Sequence, residues 1–200
     1  MKTIHLLRHA QTVATPGTYI GATDVPLSDI GRGAARTLAA VLSIPPDAVV
    51  WKSPLSRCCE MAEILFPGRD TVTEPLLRET DFGAWEGKTF DEIERGWPGL
   101  VGQWAARAPG FAFPEGERMA DFDARIVRLG DRLRAHVGNM VVCVTHGGII
   151  RHLAAHLVNL PSSAALLLST DTASVTTIHL HDEGGMLARL NWTPDPGTWS

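Results

Sequence analysis

With 200 residues, 44% hydrophobic and 20% charged, the chain is long enough to bury one full core and has a globular balance. Its formal charge of −4 argues against a broad nucleic-acid or anionic-membrane surface, so any positive field must be local. No apolar run reaches bilayer length, the N-terminal run is too short for a secretory leader, and three Cys in no framework spacing fit a reducing cytoplasm. A cytoplasmic protein with no nucleic-acid or membrane partner is therefore expected, and composition says nothing of its oligomeric state.

The first element is an apolar run, Ile4, Leu6 and Leu7, that reads as a buried strand and stops at Arg8 and His9. A guanidinium beside an imidazole can grip an anion while a ring nitrogen attacks it, although a strand end with two idle polar residues reads equally well from this stretch alone. The Pro16-Gly17 loop follows, where Thr12 and Thr15 either donate to an anion or cap the turn. Ser28 is a good N-cap for a helix carrying Ile30, Ala34, Leu38, Val41 and Leu42, ended by Pro45-Pro46. Ala48–Trp51 is a second strand, with Ser53 as expected N-cap and Pro54 at the first position of the next helix. That places Arg57 in the first turn, where free backbone N–H groups already favour anions.

Thr71–Thr73 reads as a third strand, followed by a loop with Glu74, Glu79 and Asp81; Glu74 is taken as a solvated loop acid. From Phe82 to Phe113 the chain turns aromatic, with Trp85, Phe90, Trp97, Trp104 and Phe111 among Gly and Pro, and reads as an insertion covering a pocket, most of its rings buried. Met119, Phe122, Ile126, Leu129, Leu133 and Val137 mark a long amphipathic helix ending near Gly138. Met140–Val144 is the most strand-like run and is assigned to the sheet centre. It ends in Thr145-His146-Gly147-Gly148, two glycines that let backbone approach an anion before a helix opens. Ser174–Leu180 and Met186–Asn191 read as a peripheral hairpin, and the Pro-, Gly- and Trp-containing tail from Thr193 carries no recognisable chemistry.

Alternating strands and helices imply a mostly parallel sheet with helices on both faces, an α/β three-layer sandwich, here read as a single domain over residues 1–200 with the lid insertion at about 82–118. Parallel strands present their carboxyl ends on one edge, so Arg8-His9, Arg57, Glu79 and His146 are expected to converge there. Two Arg and two His make a pocket for a doubly charged phosphoryl group.

Leu7-Arg8-His9, Asp24-Val25-Pro26-Leu27-Ser28, Ser53-Pro54-Leu55-Ser56-Arg57, Leu77-Arg78-Glu79 with Phe82–Gly87, and Thr145-His146-Gly147-Gly148 together resemble the histidine phosphatase superfamily, in its phosphoglycerate-mutase-like branch. Three of these blocks, Asp24–Ser28, Ser53–Arg57 and Phe82–Gly87, are similar to those of bacterial α-ribazole phosphatases. The family's usual Gly, Glu and Asn are Ala10, Gln11 and Thr15 here, and its Gly-Glu-Ser is Gly116-Glu117-Arg118.

The resemblance implies a phosphomonoesterase that needs no metal or other cofactor and acts through phosphohistidine on α-ribazole 5′-phosphate or a related cobalamin precursor. In that scheme His9 is the nucleophile, Arg8 and Arg57 hold the phosphoryl oxygens, His146, protonated when phosphate is bound, donates to another, and Glu79 is the general acid, with Asp81 its rival. Substrate contacts are expected from Thr12, Thr15, Gly21, Trp85, Arg118 and Gly147. Alternatives are a phosphoglycerate mutase, a sugar-phosphate phosphatase, or a catalytically silent phospholigand-binding protein, which would be expected to lack His9 or Glu79. His152 with His156 and His179 with His181 have spacings that suit Zn²⁺, but neither pair has a third ligand nearby.

Overall fold

The computed structural model describes residues 1–194, so only the start of the tail lies within it, and residues 195–200 are outside the described residues. Among the described residues six strands form one sheet in the order β3-β2-β4-β1-β5-β6. These are β1 (Lys2–Arg8), β2 (Val49–Lys52), β3 (Thr71–Thr73), β4 (Met140–Thr145), β5 (Val175–His181) and β6 (Gly184–Trp192). The first four are parallel to one another, and β5 runs antiparallel to both β1 and β6. The register of β1 on β4 sets Leu6 opposite Cys143 and Arg8 opposite Thr145, so both central strands finish level. Main-chain bonds beyond the strands keep those ends together: His9 N–H donates to the Thr145 carbonyl at 2.9 Å and Ser53 N–H to the Val144 carbonyl at 3.0 Å.

Strand alternation divides the core in two. Ile4 and Leu6 face one layer with Cys143, and Leu7 faces the other with Val142 and Val144. Helices α1 (Asp29–Val41) and α2 (Ser56–Leu65) cover the second face, while α5 (Met119–Ala135) and α6 (Gly147–Leu157) cover the first together with the aromatic insertion. The insertion contains short helices α3 (Phe90–Gly96) and α4 (Leu100–Ala105). Its two ends meet: Ala84 N–H donates to the Pro114 carbonyl at 2.8 Å and Glu117 N–H to the Asp81 carbonyl at 2.9 Å. Gly83 sits at that junction with φ +54°, and a Cβ there would fall 2.2 Å from the Pro114 carbonyl.

Several local readings change. Ser28 caps α1, its Oγ accepting from Gly31 N–H at 3.0 Å, but α2 starts at Ser56 with Leu55 as its cap residue, so Ser53 lies before the helix. Glu74 is not a solvated acid: it is 1% exposed, caps the turn Pro75–Leu77 through Leu76 N–H, and pairs with Arg132 of α5 at 2.9 Å. Val137 is 98% exposed because α5 stops at Ala135, where Lys2 Nζ donates to the Leu133 and Arg134 carbonyls at 2.7 and 2.8 Å. β5 is interior rather than peripheral, lying between β1 and β6. Among the described residues no helix is long and apolar enough to cross a membrane.

Candidate active site

A cavity of about 570 Å³ opens over the carboxyl ends of β1 and β4. Arg8, His9, Arg57, Glu79, Gly147 and Gly148 line its floor, with Thr12 and Thr15 from the first loop at its side. Thus the four strand-end segments meet as the topology requires, each delivered by a different part of the chain.

His9 is buried, and its Nδ1 lies 2.8 Å from the Ala10 carbonyl. A carbonyl only accepts, so Nδ1 carries the hydrogen and Nε2 keeps a free lone pair. Burial, chiefly, pushes the His9 pKa from 6.5 down to about 3, with the Arg57 and Arg8 charges acting in the same direction and the Ala10 bond against them. The imidazole is consequently neutral at ordinary pH, as a nitrogen nucleophile must be.

Arg8 donates from Nη1 to the Thr170 carbonyl at 2.5 Å, while its Nε is a buried donor with no partner among the described residues. The Arg8 side chain lines the cavity, where a guanidinium suits an anionic ligand. Arg57 is 0% exposed and is held on three sides, by the Thr23 carbonyl at 2.9 Å, the Gly21 carbonyl at 2.6 Å and His146 Nδ1 at 3.2 Å. One hydrogen on each terminal nitrogen is left for a ligand.

His146 sits behind Arg57. Arg57 can only donate, so His146 Nδ1 is an acceptor, and Nε2 carries the proton toward Ser53 Oγ at 2.8 Å. Complete burial, and then the charges around it, push its pKa well below 6.5. The ring is a neutral brace behind Arg57, edge-on to His9 with centroids 5.1 Å apart, and does not line the cavity. Ser53, read from sequence as a helix cap, is its partner.

Glu79 is reached through the turn after β3. Its Oε1 accepts from Thr80 N–H and its Oε2 from Gly148 N–H, both at 2.9 Å, which fixes the carboxyl group and leaves each oxygen a lone pair facing the cavity side. Asp81 lies outside this cavity, its Oδ1 accepting from Gly83 N–H at 2.9 Å.

Three expected substrate contacts fall elsewhere. Trp85 is fully buried in a ring cluster, packed edge-on against Phe113 at 5.2 Å and Trp104 at 6.2 Å. Arg118 is an exposed residue preceding α5, and Gly21 serves through its carbonyl to Arg57; neither lines the cavity. Its upper wall is instead Tyr19, Phe82, Trp104 and Phe122, with Arg151 of α6. Tyr19 lies in a Gly- and Thr-rich loop with no periodic signal, and Arg151 reads locally as one more polar position of a helix. Among the described residues no group of three His, Cys, Asp or Glu could hold a metal ion.

The depressed imidazoles carry a stability prediction. In the unfolded chain His9 titrates near 6.5, whereas folded it titrates near 3, so between those values the unfolded state binds more protons and stability rises with pH. Stability from this group is complete above about pH 7 and is lost as pH falls through 6.5, at up to about 1.4 kcal/mol per pH unit. His146 acts in the same direction. Thermal unfolding between about pH 5 and 8 is expected to show Tm falling toward acid, with a shallower slope in His9→Ala. Identical slopes for the two proteins would count against a buried neutral His9.

Comparison with known proteins places this geometry. A family model described as the histidine phosphatase superfamily (branch 1) matches residues 4–193. Phosphoserine phosphatase 1 of Hydrogenobacter thermophilus is 29% identical over 94% of this chain and 91% of its own length. Adenosylcobalamin/alpha-ribazole phosphatase of Salmonella typhimurium is 28% identical over 95% of this chain and 98% of its own. The solved structure of a mycobacterial glucosyl-3-phosphoglycerate phosphatase with inorganic phosphate superposes with a TM-score of 0.82 at 30% identity, covering 97% of this chain and 99% of that one. The chain belongs to the histidine phosphatase superfamily.

Proposed function

We propose that this member of the histidine phosphatase superfamily, a phosphoric monoester hydrolase, works without a metal and through a phosphohistidine on His9. The observation that carries this is the His9 tautomer: a buried, neutral ring with Nδ1 pinned to the Ala10 carbonyl and Nε2 free at the cavity floor. Nε2 attacks phosphorus and forms an N–P bond as the P–O bond to the leaving group breaks in line with it. Arg8 and Arg57 hold the equatorial oxygens, where charge accumulates in a loose transition state. Glu79 gives its proton to the departing oxygen. It then takes a proton from the water that attacks the phosphohistidine, which frees phosphate and restores both side chains.

The four aromatic side chains in the upper wall support a flat leaving group. A phosphorylated riboside with a planar base, such as α-ribazole 5′-phosphate, stacks on such faces for roughly 0.5–1.5 kcal/mol beyond area burial. A second reading comes from Arg151, whose Nε is tied to the Leu168 carbonyl at 3.0 Å while the residue lines the cavity. A cation there favours an ester with a second anionic group, such as phosphoserine or glucosyl-3-phosphoglycerate. Phosphate release from these three esters, compared at equal pH and salt, tests both readings. The expected result is the highest kcat/KM for α-ribazole 5′-phosphate. A preference for either carboxylated ester sinks the riboside assignment, transfer of phosphate to a second hydroxyl in place of release points to a mutase, and complete loss on chelation restored by Zn²⁺ or Mg²⁺ sinks the mechanism.

A further inference from the structure

At the root of the lid insertion lies Glu86, a half-buried acid that does not line the cavity. Its carboxylate collects four main-chain N–H groups: Gly21 at 3.1 and 3.0 Å to its two oxygens, Ala22 at 2.9 Å, Thr23 at 3.3 Å, and Phe82 at 3.1 Å. The same short loop offers its carbonyls on the other side to Arg57, at 2.6 Å from Gly21 and 2.9 Å from Thr23. One peptide unit, the Gly21 carbonyl with the Ala22 N–H, is thus gripped by an anion at one end and a cation at the other. Charge at both ends polarises the amide and strengthens each bond beyond a neutral pair. Asp24 closes the loop by accepting from Ser56 N–H at 2.8 Å, which ties it to the helix turn bearing Arg57. Among the described residues Arg57 has no carboxylate partner within salt-bridge distance, so its orientation rests on those two carbonyls and on His146.

We infer that Glu86 is a positioning residue for phosphoryl transfer, acting through the Gly21–Thr23 main chain to aim the Arg57 guanidinium at the transferred group. The inference rests on the proposed phosphoryl-transfer site. It differs from a purely structural role, in which Glu86 would only anchor the lid root at Phe82. In Glu86→Gln the amide keeps one acceptor but points N–H donors at main-chain donors, so the loop carbonyls lose their fixed direction. A displacement of the order of 1 Å in a group that stabilises the transition state costs about 100-fold, so a loss of about 10- to 100-fold in kcat is expected, with KM changed less.

The test is a double-mutant cycle on the full chain, read by kcat and by inhibition with orthovanadate, which mimics the five-coordinate phosphoryl group. E86Q is expected to weaken vanadate inhibition by about the factor it takes from kcat, and to cost less than about threefold in an R57A background, since coupled residues are non-additive. An equal loss in both backgrounds overturns the inference, as does a fall in Tm with kcat and vanadate affinity unchanged. Should E86Q not fold, E86D keeps the charge while shortening the reach, and the same comparison with R57A decides. Failure of the underlying reading shows separately, as a wild-type chain that neither forms a phosphoenzyme nor releases phosphate.

Discussion

Replacing His9 by Ala is expected to lower phosphomonoesterase turnover by on the order of 10⁴- to 10⁶-fold, the scale seen when a covalent nucleophile is removed and only binding and charge stabilisation remain. Among the described residues the ring bonds one carbonyl, that of Ala10, and meets the edge of His146, so its loss leaves the strand ends joined through the His9 N–H to Thr145 bond, which the side chain does not make. Quenching with alkaline denaturant during turnover of a labelled ester should trap an alkali-stable, acid-labile phosphoenzyme in the wild type and none in His9→Ala. His146→Ala should behave differently. It frees Arg57 Nε and Ser53 Oγ from their partner, so turnover falls while some phosphoenzyme still forms. Retention of the label in His9→Ala, with its loss in His146→Ala, would show that the nucleophile is the other ring.

What could be read from sequence, and what could not, follows the range of the interactions. β1 and β4 are legible because each is an apolar run ended by a polar side chain with chemistry, and parallel strand ends must share an edge. The convergence of Arg8, His9, Arg57, Glu79 and the Gly147 turn therefore needed only the strand assignments. Side-chain partners across long separations carry no local signal. Ser53 and His146 lie 93 residues apart, and Ser53 beside Pro54 matches a helix cap better than a brace for an imidazole. Glu74 looks solvated in a loop because Arg132 enters from α5, a helix much later in the chain. The aromatic insertion is legible as a body of rings, but which ring meets the cavity depends on how they stack. Trp85 goes inside with Phe113, and Tyr19, from a loop before α1, takes a place in the wall. Arg118 precedes the long helix but points to solvent, while Arg151, one turn into α6, reaches the cavity. β5 misleads because an alternating strand late in the chain reads as peripheral, although it lies between β1 and β6 with Thr176 and Thr177 both buried.

Glu79→Gln is expected to reduce kcat by about 10²- to 10⁴-fold, the usual contribution of a positioned proton donor. The amide is nearly the same size and its carbonyl can still accept from one of Thr80 N–H or Gly148 N–H, so folding should survive. What it lacks is a proton to give the leaving oxygen and a base to activate water. Leaving-group acidity separates these two jobs. An aryl phosphate whose leaving oxygen needs no proton should form the phosphoenzyme in Glu79→Gln at a rate close to wild type. The phosphohistidine should then accumulate, because hydrolysis still wants the base. An alkyl phosphate should be slow in the first step as well. Gly148 offers an independent approach to the same carboxyl group. A Cβ at that position would lie 2.5 Å from Glu79 Oε1, so Gly148→Ala must push the acid aside and should reproduce much of the kcat loss with the carboxyl group still present. Asp81→Asn, outside the cavity and bonded to Gly83 N–H, should cost far less. A larger loss from Asp81→Asn than from Glu79→Gln would move the proton-donor role to Asp81 while leaving His9 as nucleophile.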